Sequence, residues 1–266
     1  MIFQSKSYLT IDDSPSERMD DLVDYLFDRK IPAIFFCRGD KLEENMSSVI
    51  RAAQRGFVLA NHAYSHQRSS QKEFAWIVDE ISKTEARLDE VYAAAGVHKK
   101  GKFFRFPQLD RGTAGWIADY DTYAPDLRED LLQTFAQGLN VQSMDRPQQT
   151  DFTKKEKLQQ YLKSEGYVQP FKGVTKPWYE TGELAQARDC LYTFSNCDWM
   201  VTARHAGKWP YKTVEDLKEK ARGDKSLTQK GQVNVILAHD QAEIVDITIE
   251  LIEDLAANGM EFLPVS

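Results

Sequence analysis

Short apolar runs alternate with longer amphipathic ones along most of this chain, and that rhythm constrains its fold more than any other feature. Residues 6–11 (KSYLTI) read as a strand, and residues 17–29 as a helix with Leu22, Leu26 and Phe27 on one side. Residues 33–37 (AIFFC) read as a strand, and residues 41–55 as a helix stopped at Gly56. A strand at 57–60, a long helix at 72–95 closed by Gly96 and a strand at 102–106 (KFFRF) follow. The pattern returns near the end: a strand at 232–238 (QVNVILA), a helix at 243–257, a stop at Gly259 and a last strand at 260–265. Strands that alternate with helices imply a parallel sheet or barrel with helices outside. Strands that are apolar throughout imply that both faces are covered.

The middle is less regular. Residues 109–153 mix polar and aromatic residues without one sustained period, and read as an elaborated loop region with short helices at 114–120 and 127–137. A helix at 154–163 leads through Gly166 into 167–169. No Gly/Ser- or Pro-rich linker divides the 266 residues, so one domain, 1–266, is expected. A domain of this size buries roughly 75% of its unfolded surface, and needs no staple to hold together.

Composition narrows the function classes. A net charge of -7 without a basic, aromatic-interleaved stripe argues against nucleic acid as a partner. Cys37, Cys190 and Cys197 form neither a disulfide framework nor a short-spaced zinc motif, and are expected to be free and structural. No apolar run reaches the ~20 residues of a transmembrane segment. No signal peptide is visible, which fits a cytoplasmic protein if Met1 is native and a periplasmic or secreted one if a leader was removed.

Five clusters sit where strands end, the place where parallel barrels build active sites. Asp12-Asp13 places two mutually repelling carboxylates together, as a cation site would, although a helix cap followed by a turn reads equally from Ser14-Pro15. His62-Ala-Tyr-Ser-His66 spaces two of the five histidines four apart, on one side of a helical turn, as a metal pair or a structural pair. Arg105, before Phe106-Pro107-Gln108, is placed either to hold a carboxylate or to end a strand at the surface. Asp198-Trp199 is uninformative alone, and Leu237-Ala-His239 puts a histidine at a buried strand end, where a general acid or a structural group fits.

In this order the five clusters resemble the polysaccharide deacetylases, the NodB-homology domain of carbohydrate esterase family four. The stretches 31–66 and 231–265 are similar to that family in spacing and apolar pattern, and 109–153 then looks like an insertion. The resemblance implies an α/β fold, a distorted (β/α) barrel with fewer than eight strands. It implies Asp13, His62 and His66 as ligands of a divalent metal, most commonly zinc, with cobalt, manganese, nickel or iron also accepted. It implies Asp12 as the base towards a metal-activated water, Arg105 as its holder, His239 as the acid and Asp198 as the group that tunes it. Gln108 would offer a backbone N–H to the oxyanion, and Trp199 and Leu237 would line the pocket for an acetyl methyl. The activity implied is removal of N-acetyl groups from a polysaccharide or oligosaccharide. The alternatives are hydrolysis of a small non-sugar amide or ureide on the same fold, and a non-catalytic glycan-binding relative. Ser14, Ala63 and Gln108 depart from the family's usual glycine, hydroxyl residue and tyrosine, which bears on the substrate more than on the chemistry.

Overall fold

The computed structural model describes residues 2–139 and 147–265. Residues 140–146, inside the expected insertion at 109–153, lie outside the described residues, as do Met1 and Ser266. The chain runs β1 (Lys6–Ser14), α1 (Met19–Asp28), β2 (Ala33–Cys37), α2 (Gly39–Leu42), α3 (Met46–Gln54), β3 (Val58–Asn61) and α4 (Phe74–Ala95). It continues through α5 (Pro125–Ala136), α6 (Gln149–Ser164), β4 (Phe194–Ser195), α7 (Val214–Gly223), α8 (Lys225–Thr228), β5 (Val233–His239), α9 (Val245–Ala257) and β6 (Glu261–Phe262). Among the described residues six strands pair in parallel, in the order β3-β2-β1-β5-β4, with β6 joining the start of β1. This is the expected α/β architecture with fewer than eight strands, built as a single domain. Among the described residues no helix is long and apolar enough to cross a membrane.

The two-residue period of each strand sorts the core into two layers. Leu9, Ile11, Phe35, Leu59 and Ile236 pack on one side with Leu22 and Leu26 of α1, Val49 of α3, Leu88 of α4 and Ile252 of α9. Tyr8, Ile34, Phe36, Val58, Val235 and Leu237 face the other way, against Ile117, Tyr120, Leu131, Trp178 and Tyr192. β2 (AIFFC) and most of β3 (VLAN) are apolar because the sheet is covered on both faces. Much of the second cover comes from the middle of the chain, which therefore supplies core rather than loop alone. Cys37, Cys190 and Cys197 are free and buried.

Several expectations needed correction. Phe27 is 47% exposed, because it stands one residue, about 100°, beyond Leu26 on α1 and so leaves the buried stripe. The helix expected over 41–55 is interrupted: Asn45 turns its side chain back to the Lys41 carbonyl, separating α2 from α3. Residues 102–106 form no regular strand. They make isolated bridges, Phe104 to Asn61 and Lys102 to Tyr167, and Phe104 accepts the Cys190 N–H, so single-residue contacts link β3 towards the β4 side of the sheet. Residues 114–120 are not helical, because Asp110 Oδ1 captures the N–H groups of Gly112 and Ala114 and bends the chain. The last strand spans only Glu261–Phe262.

Candidate active site

The site forms at the carboxyl ends of β1, β3 and β5. Adjacent residues on a strand normally point to opposite faces, yet Asp12 and Asp13 both serve the site. The β1 register slips between Ile11 and Ser14, and Asp13 takes φ +65°, so a bulge re-aims its carboxylate. Asp13 Oδ1 lies 3.0 Å from His66 Nε2 and 3.6 Å from His62 Nε2. The three residues form a group with metal-ligand spacing, two of them buried.

The histidines converge from a loop rather than from a helical turn, as positive φ at Ala63 (+58°) and His66 (+57°) folds the backbone between them. That loop has its own supports despite the missing hydroxyl at position 63. Asn61 Oδ1 accepts the Ala63 N–H at 2.9 Å, and Glu80 Oε2 accepts both the N–H and the hydroxyl of Ser65 at 2.7 Å. Gly39 lets Tyr64 pack down, for a Cβ there would stand 2.4 Å from the ring.

His62 is bound through Nδ1 to the Arg105 carbonyl at 2.8 Å. A carbonyl only accepts, so the proton sits on Nδ1 and the Nε2 lone pair faces Asp13. Burial pushes the His62 pKa down to about 4, which keeps the ring neutral, the form a metal ligand needs. Burial alone would raise Asp13, but the close contact and charge of His66, with the charges of His239 and His62, outweigh it and hold the carboxyl well below the usual carboxylate range. Asp13 Oδ1 is buried yet receives no well-directed hydrogen bond. Two imidazole nitrogens and an orphaned carboxylate oxygen thus crowd one point, a donor set that suits zinc and similar divalent cations.

Asp12 lies beside this point, its Oδ2 3.7 Å from His62 Nε2. The buried Arg105 fixes it from the other side. Nη1 donates to Asp12 Oδ1 at 2.7 Å and to Thr10 Oγ1 at 2.8 Å, Nε donates to the Cys190 carbonyl at 2.8 Å, and the guanidinium stacks 4.4 Å over Phe36. Directly across the ladder, Asp12 is the Cα partner of His239. Asp198 Oδ1 holds His239 Nδ1 at 2.6 Å, while Asp198 Oδ2 takes the His239 N–H at 2.8 Å and the Thr248 hydroxyl at 3.1 Å. Burial depresses the charged imidazolium, but Asp198, by charge and by hydrogen bond, with Asp13 and Asp12 behind it, lifts the His239 pKa to about 9.

Gln108 follows Pro107 in a short turn at φ +53°, its side chain exposed. Leu237 faces the inner core two residues before His239. Trp199 donates its indole N–H to Gln137 at 3.2 Å and meets Trp209 edge-on at 5.0 Å. Thr10 and Asp240 stand in the first and fifth clusters but were given no role there, and Thr248 and Gln241 escaped the sequence reading altogether: Asp240 Oδ2 accepts the Ser16 N–H at 2.9 Å, and the Gln241 amide reaches Asp13 Oδ2 at 2.6 Å. The two-residue period from Asp12 would have given Thr10 its role.

Known proteins resemble this chain in sequence and in fold. Residues 4–116 match the family model described as polysaccharide deacetylase. A bifunctional xylanase/deacetylase of Pseudobutyrivibrio xylanivorans is 31% identical over 102 residues, which cover 38% of this chain and 16% of that protein's length. A family 4 carbohydrate esterase from Streptomyces lividans has a similar fold (TM-score 0.54, 19% identity) over 99% of this chain and 94% of that one. So does the catalytic domain of a peptidoglycan N-acetylglucosamine deacetylase from Eubacterium rectale (TM-score 0.55, 19% identity; 98% and 89%). A family 4 pseudoenzyme from Bacillus anthracis is similar as well (TM-score 0.55, 14% identity; 98% and 64%). At such identities the likeness is one of fold. Over residues 4–116 the chain is thus similar in sequence to the polysaccharide deacetylases, and over nearly its whole length it shares the fold of family 4 carbohydrate esterases.

Proposed function

We propose that this chain is a hydrolase that removes N-acetyl groups from an oligosaccharide or polysaccharide, using a divalent cation, most suitably zinc, held by Asp13, His62 and His66. The observation that carries this reading is the register of Asp12 opposite His239, beside three converging cation donors. A bound cation supplies polarisation of the amide carbonyl and a more acidic water. Asp12, with Oδ1 fixed by Arg105, keeps Oδ2 as the oxygen that takes the proton from the attacking water. The backbone N–H of Gln108 is assigned to the developing oxyanion, and Leu237 and Trp199 to the acetyl methyl. His239, raised to about 9 and bound to Asp198 through Nδ1, carries its transferable proton on Nε2 for the departing amine.

The test is acetate release by zinc- or cobalt-loaded protein from N-acetylated chito-oligosaccharides and peptidoglycan fragments, beside small amides and ureides. Release from the glycans supports the proposal. Turnover of small amides alone assigns the same machinery to a non-sugar substrate, and a cation-loaded protein that turns over neither refutes the reading.

A further inference from the structure

Gln241 lies outside every motif that points to chemistry, yet it touches the centre of the site. Its Nε2 donates to Asp13 Oδ2 at 2.6 Å, and its Oε1 accepts from Arg204 Nη2 at 3.0 Å. A guanidinium only donates and a carboxylate only accepts, so these two neighbours fix which end of the amide faces which. Arg204 is held in turn by Glu243, two residues beyond Gln241, at 3.0 Å. The Asp13 carboxylate is thereby divided: Oδ2 is engaged by the amide, and Oδ1 alone faces His62 and His66.

We propose that Gln241 is a positioning residue for the cation site, which occupies Asp13 Oδ2 so that Asp13 offers Oδ1 as a single ligand oxygen. The inference rests on the proposed cation site. Asp13 needs such a brace because it sits on a bulge at φ +65°, where the regular ladder no longer fixes its direction. Arg204 keeps the amide turned, and it stands on the same short stretch as Asp198 and Trp199. The brace therefore ties the segment that carries the partner of His239 to the carboxylate ligand.

Cobalt(II) alone, titrated into cation-free wild type, Gln241→Met and Arg204→Met, tests this through the visible d–d absorption, with Tm measured before cobalt is added. Methionine keeps the length of glutamine and removes the amide. Losing a hydrogen-bond partner behind a ligand weakens binding by about 10–100-fold, and Gln241→Met should show that loss. Its absorption band should also change, since Asp13 then has both oxygens free to ligate. Arg204→Met should move affinity the same way by less. Unchanged affinity and band in Gln241→Met overturn the inference. If that variant does not fold, Arg204→Met, altered at an exposed side chain, decides by the same readout. Failure of wild type to bind cobalt would defeat the cation site itself, a separable outcome.

Discussion

Asp12 and His239 are Cα partners in the β1/β5 ladder, so two groups from opposite ends of the chain leave adjacent strands on the same face. Each is held from behind by a buried group of opposite charge, Arg105 for Asp12 and Asp198 for His239. The proposed base and acid thus sit on neighbouring strands about 4.8 Å apart, each fixed through one atom and free at another.

Arg105→Met would leave the buried Asp12 carboxylate without its cation. Breaking such a pair costs about 3–5 kcal/mol, measurable by urea unfolding. Arg105→Lys keeps the charge but loses the fork that spans Asp12, Thr10 and the Cys190 carbonyl, so it should recover part of the stability and little of the turnover. A methionine variant as stable as wild type would contradict the assigned role.

His239 gives a pH signature. Its folded pKa, about 9, lies above the ordinary 6.5, so its ion pair with Asp198 stabilises the protein fully below about pH 6.5. That contribution is lost as pH rises through about 9. Imidazole NMR should place the His239 midpoint near that upper value, and the alkaline limb of turnover should follow it. Asp198→Asn removes the charge that offsets burial, so midpoint and limb should both move down. A midpoint that does not move would show that Asp198 is not what raises it.

Trp178 is fully buried in the layer that covers the inner face of the sheet, on the segment between α6 and β4. Trp178→Ala should cost about 3–5 kcal/mol if that region is core. Thermal unfolding that leaves the variant within about 1 kcal/mol of wild type would mean that this layer is dispensable packing.

How much of this the sequence disclosed follows from range. β1, β2, β3, α4, β5 and α9 were legible because each carries its own apolar period and, at Gly96 with φ +68°, its own stop. The clusters at 12–13, 62–66, 105–108 and 237–239 were legible because they stand where those runs end. β4, two residues long, has no period to read, and its pairing is dictated by β5. The segment 102–106 has a strand's composition but meets each neighbour at one residue only. Trp178, Tyr120 and Tyr192 gather into one layer through contacts far apart in sequence, invisible to a local window. α7 went unread despite a capping box, Thr213 with Asp216, that a closer look at TVED would have caught. Gln241 could not be found locally, since its meaning depends on a bulge 228 residues away.

The measurement that bears most directly on the account is acetate release from an N-acetylated chito-oligosaccharide by cobalt-loaded wild type and Asp12→Asn, with bound cobalt quantified in both. Asp12 is not among the cation donors, so the account predicts that Asp12→Asn retains cobalt while turnover falls by about 10²–10⁴-fold, and that chelation abolishes turnover in wild type. Asp12→Asn that keeps wild-type turnover, or wild-type turnover that survives complete chelation, would contradict it.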